Sequence, residues 1–198
     1  MDRQVIPSRV RLDMILESYG LDKSIIDHSR SVALLATRIA DQIALDGVKL
    51  DSRVVEAAAI LHDIGLAKSG GIEHCVAGAE IVRQLGLPNS VADCIERHEC
   101  ITKQETKELG FRDTYCDRDL VPVTVEDKIL VCADNLYWIM AKGIDPLNSS
   151  AIVDLLYEYF NSVYEKATGH GIKRNHPAVE RNIKIIHGFQ KYLCCVSP

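Results

Sequence analysis

The sequence lacks the features that mark a secreted, membrane-spanning or nucleic-acid-coating protein. No apolar run approaches the ~20 residues that cross a bilayer, and residues 1–5 have neither the basic start nor the apolar stretch of a signal peptide. Lys and Arg number 23 against 28 Asp and Glu, a net charge of −5. This balance argues against a globally basic nucleic-acid binder, although it leaves room for a local basic patch. We therefore expect a cytoplasmic protein without a membrane segment.

Cysteine pairs with metal-ligand or disulfide spacing are also missing. The seven cysteines include no Cys-x-x-Cys pair, and an odd count in a chain of 198 residues argues against a disulfide framework. Cys75, Cys94 and Cys132 lie in helical stretches and are expected to be small core residues. The adjacent Cys194 and Cys195 leave oxidation or a soft metal as an alternative, which the geometry of one helical turn disfavours.

What the sequence does contain is helical periodicity throughout. With 198 residues, 47% of them hydrophobic, the chain is long enough for one domain with a sizeable core. No internal repeat and no alternating strand pattern accompanies the helical stripes, so the predicted fold class is all-α. We expect an N-terminal helix within residues 1–21, a core over 22–142 and C-terminal helices over 143–198. The third helix is predicted to begin at Asp51 or Ser52 and to run to Gly65.

The most informative feature is the dipeptide His62-Asp63 within Ile60-Leu61-His62-Asp63-Ile64-Gly65. An imidazole followed directly by a carboxylate places two ligand types where they can share one metal ion. Further candidate ligands recur in order on or at the ends of predicted helices: His28, His74, His98 and Asp134. Histidine and aspartate are ligands that borderline and hard divalent ions accept.

Structural roles are the alternative for each of these residues. A single histidine on an apolar helical face is ordinarily a hydrogen-bonded core residue, but recurrence on successive helices weakens that interpretation. Asp134 lies among apolar neighbours, where a carboxylate is costly unless it is paired or bound to metal. A buried salt bridge or a helix cap remains open for Asp134.

The order His28, His62-Asp63, Asp134 resembles the signature of the HD superfamily of metal-dependent phosphohydrolases, in its Ile-Gly variant. The resemblance covers about residues 22–142. It implies a single-domain helical bundle, a metal site made of these four residues, and hydrolysis of a phosphoester or phosphoanhydride.

The extra histidines resemble those of HD proteins with a two-metal centre. The resemblance implies that His74 and His98 hold a second ion and that Asp63 bridges the two. The alternative is one metal, with these two histidines contacting the substrate phosphate. One or two transition-metal ions are expected, preferably two, drawn from Fe, Mn, Co, Ni or Zn.

Weaker candidates surround this set. Relatives often carry Lys or Arg where this chain has Leu66, so the nearby Lys68 is a candidate phosphate contact. Glu73 and Glu99 adjoin two of the histidines and, with Asp63, are the candidate catalytic carboxylates. The other candidate substrate contacts are Arg97, Lys128, Arg112 and Tyr115. Solvent exposure or a structural ion pair is the alternative for each.

The predicted function is hydrolysis of a nucleotide or dinucleotide polyphosphate by a metal-activated hydroxide. A phosphodiesterase acting on a cyclic nucleotide or on RNA 2′,3′-cyclic ends is an alternative, as is a non-catalytic metal- or nucleotide-binding regulatory module. The expected partner is a small phosphate ester rather than long nucleic acid. A homo-oligomer stays open, because the last helix has an apolar face that fits its own bundle or a second chain.

Overall fold

Helices form all the regular elements in residues 5–112, 115 and 117–193, which a computed structural model describes. Within this part of the chain there is no β-strand, and one isolated bridge pairs Ile101 with Leu120. The all-α prediction is therefore confirmed. The helices are α1 (Arg9–Ser18), α2 (Lys23–Leu45), α3 (Ser52–Leu61), α4 (His74–Gln84), α5 (Asn89–Arg97), α6 (Lys103–Glu108), α7 (Val125–Ala141), α8 (Ser149–Thr168) and α9 (Pro177–Leu193).

Side-chain caps begin several of these helices. The Asp51 carboxylate accepts hydrogen bonds from the first amides of α3. Thr102 is the N-cap of α6 and Thr124 is the N-cap of α7. Each belongs to a capping box that an acidic residue three positions later completes. Each cap satisfies backbone N–H groups that have no partner within the helix, and is worth about 1 kcal/mol.

The core lies where α2, α3, α5 and α7 meet. Val32, Ala36 and Ile39 on α2 are fully buried, in keeping with the predicted apolar stripe. The run Ala57-Ala58-Ala59 on α3 is also fully buried. Its small side chains let α2 and α7 approach α3 closely. This close packing brings parts of α2, α3 and α7 close together.

One predicted boundary is wrong. Helix α3 ends at Leu61 rather than Gly65, and a separate 3₁₀ turn covers Ile64–Ala67. The turn packs on α4 so closely that a Cβ on Gly65 would lie 1.9 Å from the His74 carbonyl oxygen. The spacing of apolar residues predicted a helix as far as Gly65. In the structure the α-helix ends before Asp63, where the following turn packs on α4.

The C-terminal helices pack on the rest of the bundle. Helices α8 and α9 contact each other, and α9 also contacts α2 and α7. Ile186, Phe189 and Leu193 of α9 are buried in this chain's own core. No helix among the described residues is long and apolar enough to cross a membrane. Cys194 and Cys195 lie outside the described residues, as do positions 113, 114 and 116 of the charged loop.

Candidate metal centre

Three of the predicted ligands converge from three helices. His28 lies on α2, His62 at the end of α3, and Asp134 on α7. His28 Nε2 is 3.2 Å from His62 Nε2 and 3.1 Å from Asp134 Oδ1. One ligand atom from each residue lies within 4.8 Å of the other two. We call this group the first triad.

The remaining three ligands form a second triad beside it. His74 begins α4, His98 follows α5, and Asp63 lies between α3 and the 3₁₀ turn. His74 Nε2 is 3.0 Å from His98 Nε2 and 3.0 Å from Asp63 Oδ1. The ligand atoms of this triad also lie within 4.8 Å of one another.

The Asp63 carboxylate joins the two triads. Its Oδ1 faces His74, whereas its Oδ2 lies 3.5 Å from His28 Nε2 and 3.4 Å from His62 Nε2. Each oxygen therefore faces a different set of histidines. A bridging carboxylate between two metal ions requires this arrangement of its oxygens.

Backbone hydrogen bonds determine which ring nitrogen of each histidine is available. His62, His74 and His98 each have Nδ1 against a backbone carbonyl, at 2.9, 2.7 and 2.7 Å. A carbonyl only accepts, so Nδ1 carries the proton and the neutral ring has a bare lone pair on Nε2. In the neutral forms of His74 and His98, the two bare Nε2 atoms lie 3.0 Å apart and repel each other. A cation between them removes this repulsion, so the donor set fits a divalent metal.

Unsatisfied polar atoms support the same fit. Among the described residues, His28 Nδ1 and Asp134 Oδ1 are buried side-chain atoms without an aligned hydrogen bond. His28 Nε2 is close to Asp134 Oδ1, but distance alone does not satisfy the oxygen. A buried carboxylate oxygen left in this way is costly, and metal coordination offsets that cost.

The charged groups of the two triads shift each other's protonation. Burial raises the pKa of Asp63 and Asp134, but the facing histidines outweigh burial and hold both pKa values below the ordinary range. Burial lowers the pKa of His98 to about 3. His74 is also buried, yet its contact with Asp63 raises its pKa to about 9. The carboxylates are therefore ionised and ready to bind a cation.

Glu99 stands at the edge of the second triad. Its Oε1 is 3.7 Å from His74 Nε2 and 3.9 Å from His98 Nε2. The Tyr159 hydroxyl, which comes from α8, donates to its Oε2 at 3.1 Å. Burial raises the pKa of Glu99 to about 7. Burial therefore disfavours the charged form of this carboxyl.

The structure does not bring the other predicted carboxylate to the centre. The Glu73 oxygens accept hydrogen bonds from Ser69 and the Arg112 backbone, and Glu73 forms an ion pair with Arg112 at 3.3 Å. Glu73 therefore ties the 3₁₀ region to a distant loop. It does not line the cavity at the centre, and a catalytic role for Glu73 stays a prediction.

The predicted substrate contacts also lie elsewhere. Arg97 pairs with the buried Asp127 at 3.0 Å, and the Tyr115 hydroxyl donates to Glu80 at 3.1 Å. Lys128 is exposed on α7. Lys68, Arg112 and the other three are absent from the cavity lining. Arg97 and Arg112 are engaged in ion pairs, and the Tyr115 ring is buried.

A cavity of about 470 Å³ opens over both triads. That volume is within the range of small-molecule sites. Its walls come mainly from α7, α8 and α9, through side chains that the sequence did not indicate: Asn135, Trp138, Lys142, Leu155, Glu158, Tyr159 and Asn182. Trp138 and Lys142 follow Asp134 at four-residue intervals, a signal that was present in the sequence. The residues of α8 had no such signal.

Comparison with known proteins agrees with this geometry. The sequence model of the HD domain family matches residues 25–139. The chain therefore belongs to the HD domain family. Uncharacterized protein MJ0778 of Methanocaldococcus jannaschii is 35% identical over 163 residues, which are 81% of this chain and 85% of that protein.

Two further similarities concern a longer protein and a solved structure. A tRNA (cytidine(56)-2′-O)-methyltransferase of Picrophilus torridus is 40% identical over 133 residues. The match covers 66% of this chain but spans only 36% of the methyltransferase. The HD domain of the L. monocytogenes phosphodiesterase PgpH, solved with cyclic-di-AMP, superposes with a TM-score of 0.52 at 17% identity, covering 90% of this chain and 94% of that one. The PgpH likeness shows a shared fold.

Proposed function

We propose that this protein is a metal-dependent phosphohydrolase with two metal ions, and that it cleaves a phosphodiester of a nucleotide. The observation that carries the proposal is the pair of triads that share the Asp63 carboxylate. His28, His62 and Asp134 would hold one ion, and His74 and His98 the other. Ions in such a centre activate water and neutralise charge that develops on the phosphoryl oxygens.

The chain's own residues supply the remaining requirements. Hydrolysis consumes one water: a new P–O bond forms, the bond to the leaving oxygen breaks, and a water proton must be accepted. Glu99 is the carboxylate at the edge of the second triad, and we assign it that proton. The Tyr159 hydroxyl orients Glu99 through their hydrogen bond. The apolar wall from α8 limits access of bulk water to the reacting atoms.

The charge of the cavity favours a phosphodiester over a polyphosphate. Asp63, Glu99, Asp134 and Glu158 line it, and Lys142 is the one Lys or Arg among its described lining residues. Two divalent ions would offset the four carboxylates, which leaves about one positive charge at Lys142. A phosphodiester carries one negative charge, whereas a dinucleotide polyphosphate carries several. The name of PgpH, a phosphodiesterase solved with cyclic-di-AMP, gives further support.

RNA 2′,3′-cyclic ends form a second candidate substrate. The relative from Picrophilus torridus is named for an activity on tRNA. An RNA end also presents a singly charged phosphodiester next to a base, and it needs no long basic groove. Activity on RNA ends therefore belongs in the same screen as activity on cyclic dinucleotides.

The test is hydrolysis of bis(p-nitrophenyl) phosphate with Mn²⁺, together with metal content measured by plasma mass spectrometry. We expect close to two metal equivalents per chain and turnover that a chelator removes. Asp63→Asn should abolish turnover, while His187→Ala on the exposed face of α9 should not change it. Two bound metals without turnover on this ester, on cyclic dinucleotides or on RNA cyclic ends would favour a regulatory module.

A further inference from the structure

A single face of α7 carries a metal-site carboxylate, an aromatic ring and a cation in line. Asp134, Trp138 and Lys142 are spaced by four residues, so their side chains follow one another along the helix. Successive positions are ~6 Å apart along the axis. All three residues line the same cavity. This face therefore extends from the candidate metal centre towards the cavity mouth.

Trp138 is placed unusually for a tryptophan. It is 52% exposed, although large aromatic side chains are ordinarily well buried. Its ring lies 5.2 Å from the ring of His28 with an interplanar angle of 32°. Tyr137 packs edge-on against both rings. The contacts with His28 and Tyr137 hold one side of the indole in place, and the rest of its surface is open to the cavity.

The surroundings of Trp138 suit a flat, largely uncharged group. Leu155, Leu156 and Phe160 of α8 line the cavity with apolar surface, and Tyr159 adds a second aromatic ring that is 45% exposed. A phosphate or a sugar phosphate gains no binding free energy from contact with such an apolar wall. A nucleobase gains stacking and apolar burial there.

We propose that Trp138 is the stacking platform for a nucleobase of the substrate, whose phosphate lies at the two triads. A nucleoside phosphate separates its phosphorus from its base by a distance comparable to the helical turn between Asp134 and Trp138. This inference rests on the proposed function for the position of the phosphate. It adds the substrate class: phosphodiesters that carry a base, selected over those that do not.

The chain offers a direct binding readout because Trp138 is its only tryptophan. We would titrate the metal-loaded protein with AMP, and separately with ribose 5-phosphate, and follow fluorescence excited at a wavelength where adenine does not absorb. AMP should quench the emission saturably, and ribose 5-phosphate should quench it far less. Equal quenching by both probes, or no quenching by either, would overturn the proposal.

A kinetic comparison tests the same point without fluorescence. The substrates are thymidine 5′-(p-nitrophenyl phosphate) and methyl p-nitrophenyl phosphate, which share a leaving group and differ in that only the first carries a nucleoside; the change in their ratio between Trp138 variants, rather than the ratio itself, reports on the base. Trp138→Leu should lower the ratio of their kcat/KM values about 5- to 150-fold, the loss of one base–aromatic stack. Trp138→Phe should restore part of that ratio, because a smaller ring still stacks.

Control variants test the stacking role of Trp138 separately from the proposed hydrolase function. Tyr192→Leu removes an aromatic ring from α9, outside the cavity, and should leave the ratio unchanged. Metal content of Trp138→Leu is measured in parallel, because Trp138 contacts His28. A ratio unchanged in Trp138→Leu with both metals bound would refute the stacking role. Quenching by AMP in a protein that hydrolyses neither ester would instead refute the proposed function and leave the base site standing.

Discussion

The contact between Gly65 and α4 leads to a sharp prediction about the second triad. A Cβ at position 65 would lie 1.9 Å from the His74 carbonyl oxygen and 2.5 Å from the Gly78 amide nitrogen. Cβ contacts essentially never fall below 3.0 Å, so Gly65→Ala must separate the turn from α4 by at least 1.1 Å. Both atoms belong to backbone, so no side-chain rotation can relieve the clash.

The expected cost follows from this displacement. Overpacking a well-packed core costs about 1–3 kcal/mol, and a backbone clash belongs at the upper end. In a chain of this length, about 3 kcal/mol corresponds to a fall in Tm of roughly 6–12 °C. Because His74 begins α4 and Asp63 precedes the turn, the same shift separates two members of the second triad. Gly65→Ala should therefore also lose one metal equivalent.

The assay is thermal unfolding with metal analysis, alongside two other glycine variants. Gly188→Ala on α9 places its Cβ in open space, and should be neutral or stabilise by up to ~1 kcal/mol. Gly78→Ala would place its Cβ 3.1 Å from the Ile95 side chain and 3.3 Å from the Gly65 amide nitrogen, and should be intermediate because these contacts are less severe than those at Gly65. The reasoning is refuted if Gly65→Ala has the same Tm as Gly188→Ala and keeps both metal ions. In that case the close approach of the turn to α4 is not the reason that position 65 requires glycine.

Other perturbations probe the centre and its support. His74→Ala should lose one metal ion and keep the other, whereas the control His187→Ala should keep both, as measured by plasma mass spectrometry. If His74→Ala loses neither ion, a single-metal site is favoured. Burial raises the pKa of Asp127, but amide hydrogen bonds and the ion pair with Arg97 outweigh it and hold the pKa below its ordinary value. Asp127→Asn should therefore cost about 2–3 kcal/mol near neutral pH. Urea unfolding should show that difference shrink as the pH falls below about 4 and through the folded-state pKa; a difference that does not shrink as the pH falls would contradict this. Lys142→Met removes the one Lys or Arg among the described residues that line the cavity and should lower kcat/KM for a singly charged phosphodiester; an unchanged kcat/KM would show that Lys142 does not attract the phosphate.

Much of this fold could be predicted from local features of the sequence. The capping boxes at Thr102 and Thr124 depend on residues three apart, so they are visible without any tertiary contact. The apolar stripe of α2 and the alanine run of α3 likewise follow from helical periodicity. Ligand types and their order on successive helices predicted the site, and the structure brings all six candidates together.

Tertiary structure decided what sequence spacing cannot express. The end of α3 before Asp63 and the different histidines that the two Asp63 oxygens face are properties of the folded chain, in which α4 packs closely against the turn at Gly65. Arg97 and Glu73 adjoin ligands in sequence but are directed to partners on other elements. One wall of the cavity comes from α8, whose place beside the site depends on the packing of the bundle. Helix identity is a local property, whereas the neighbours of a side chain are determined by docking between elements distant in sequence.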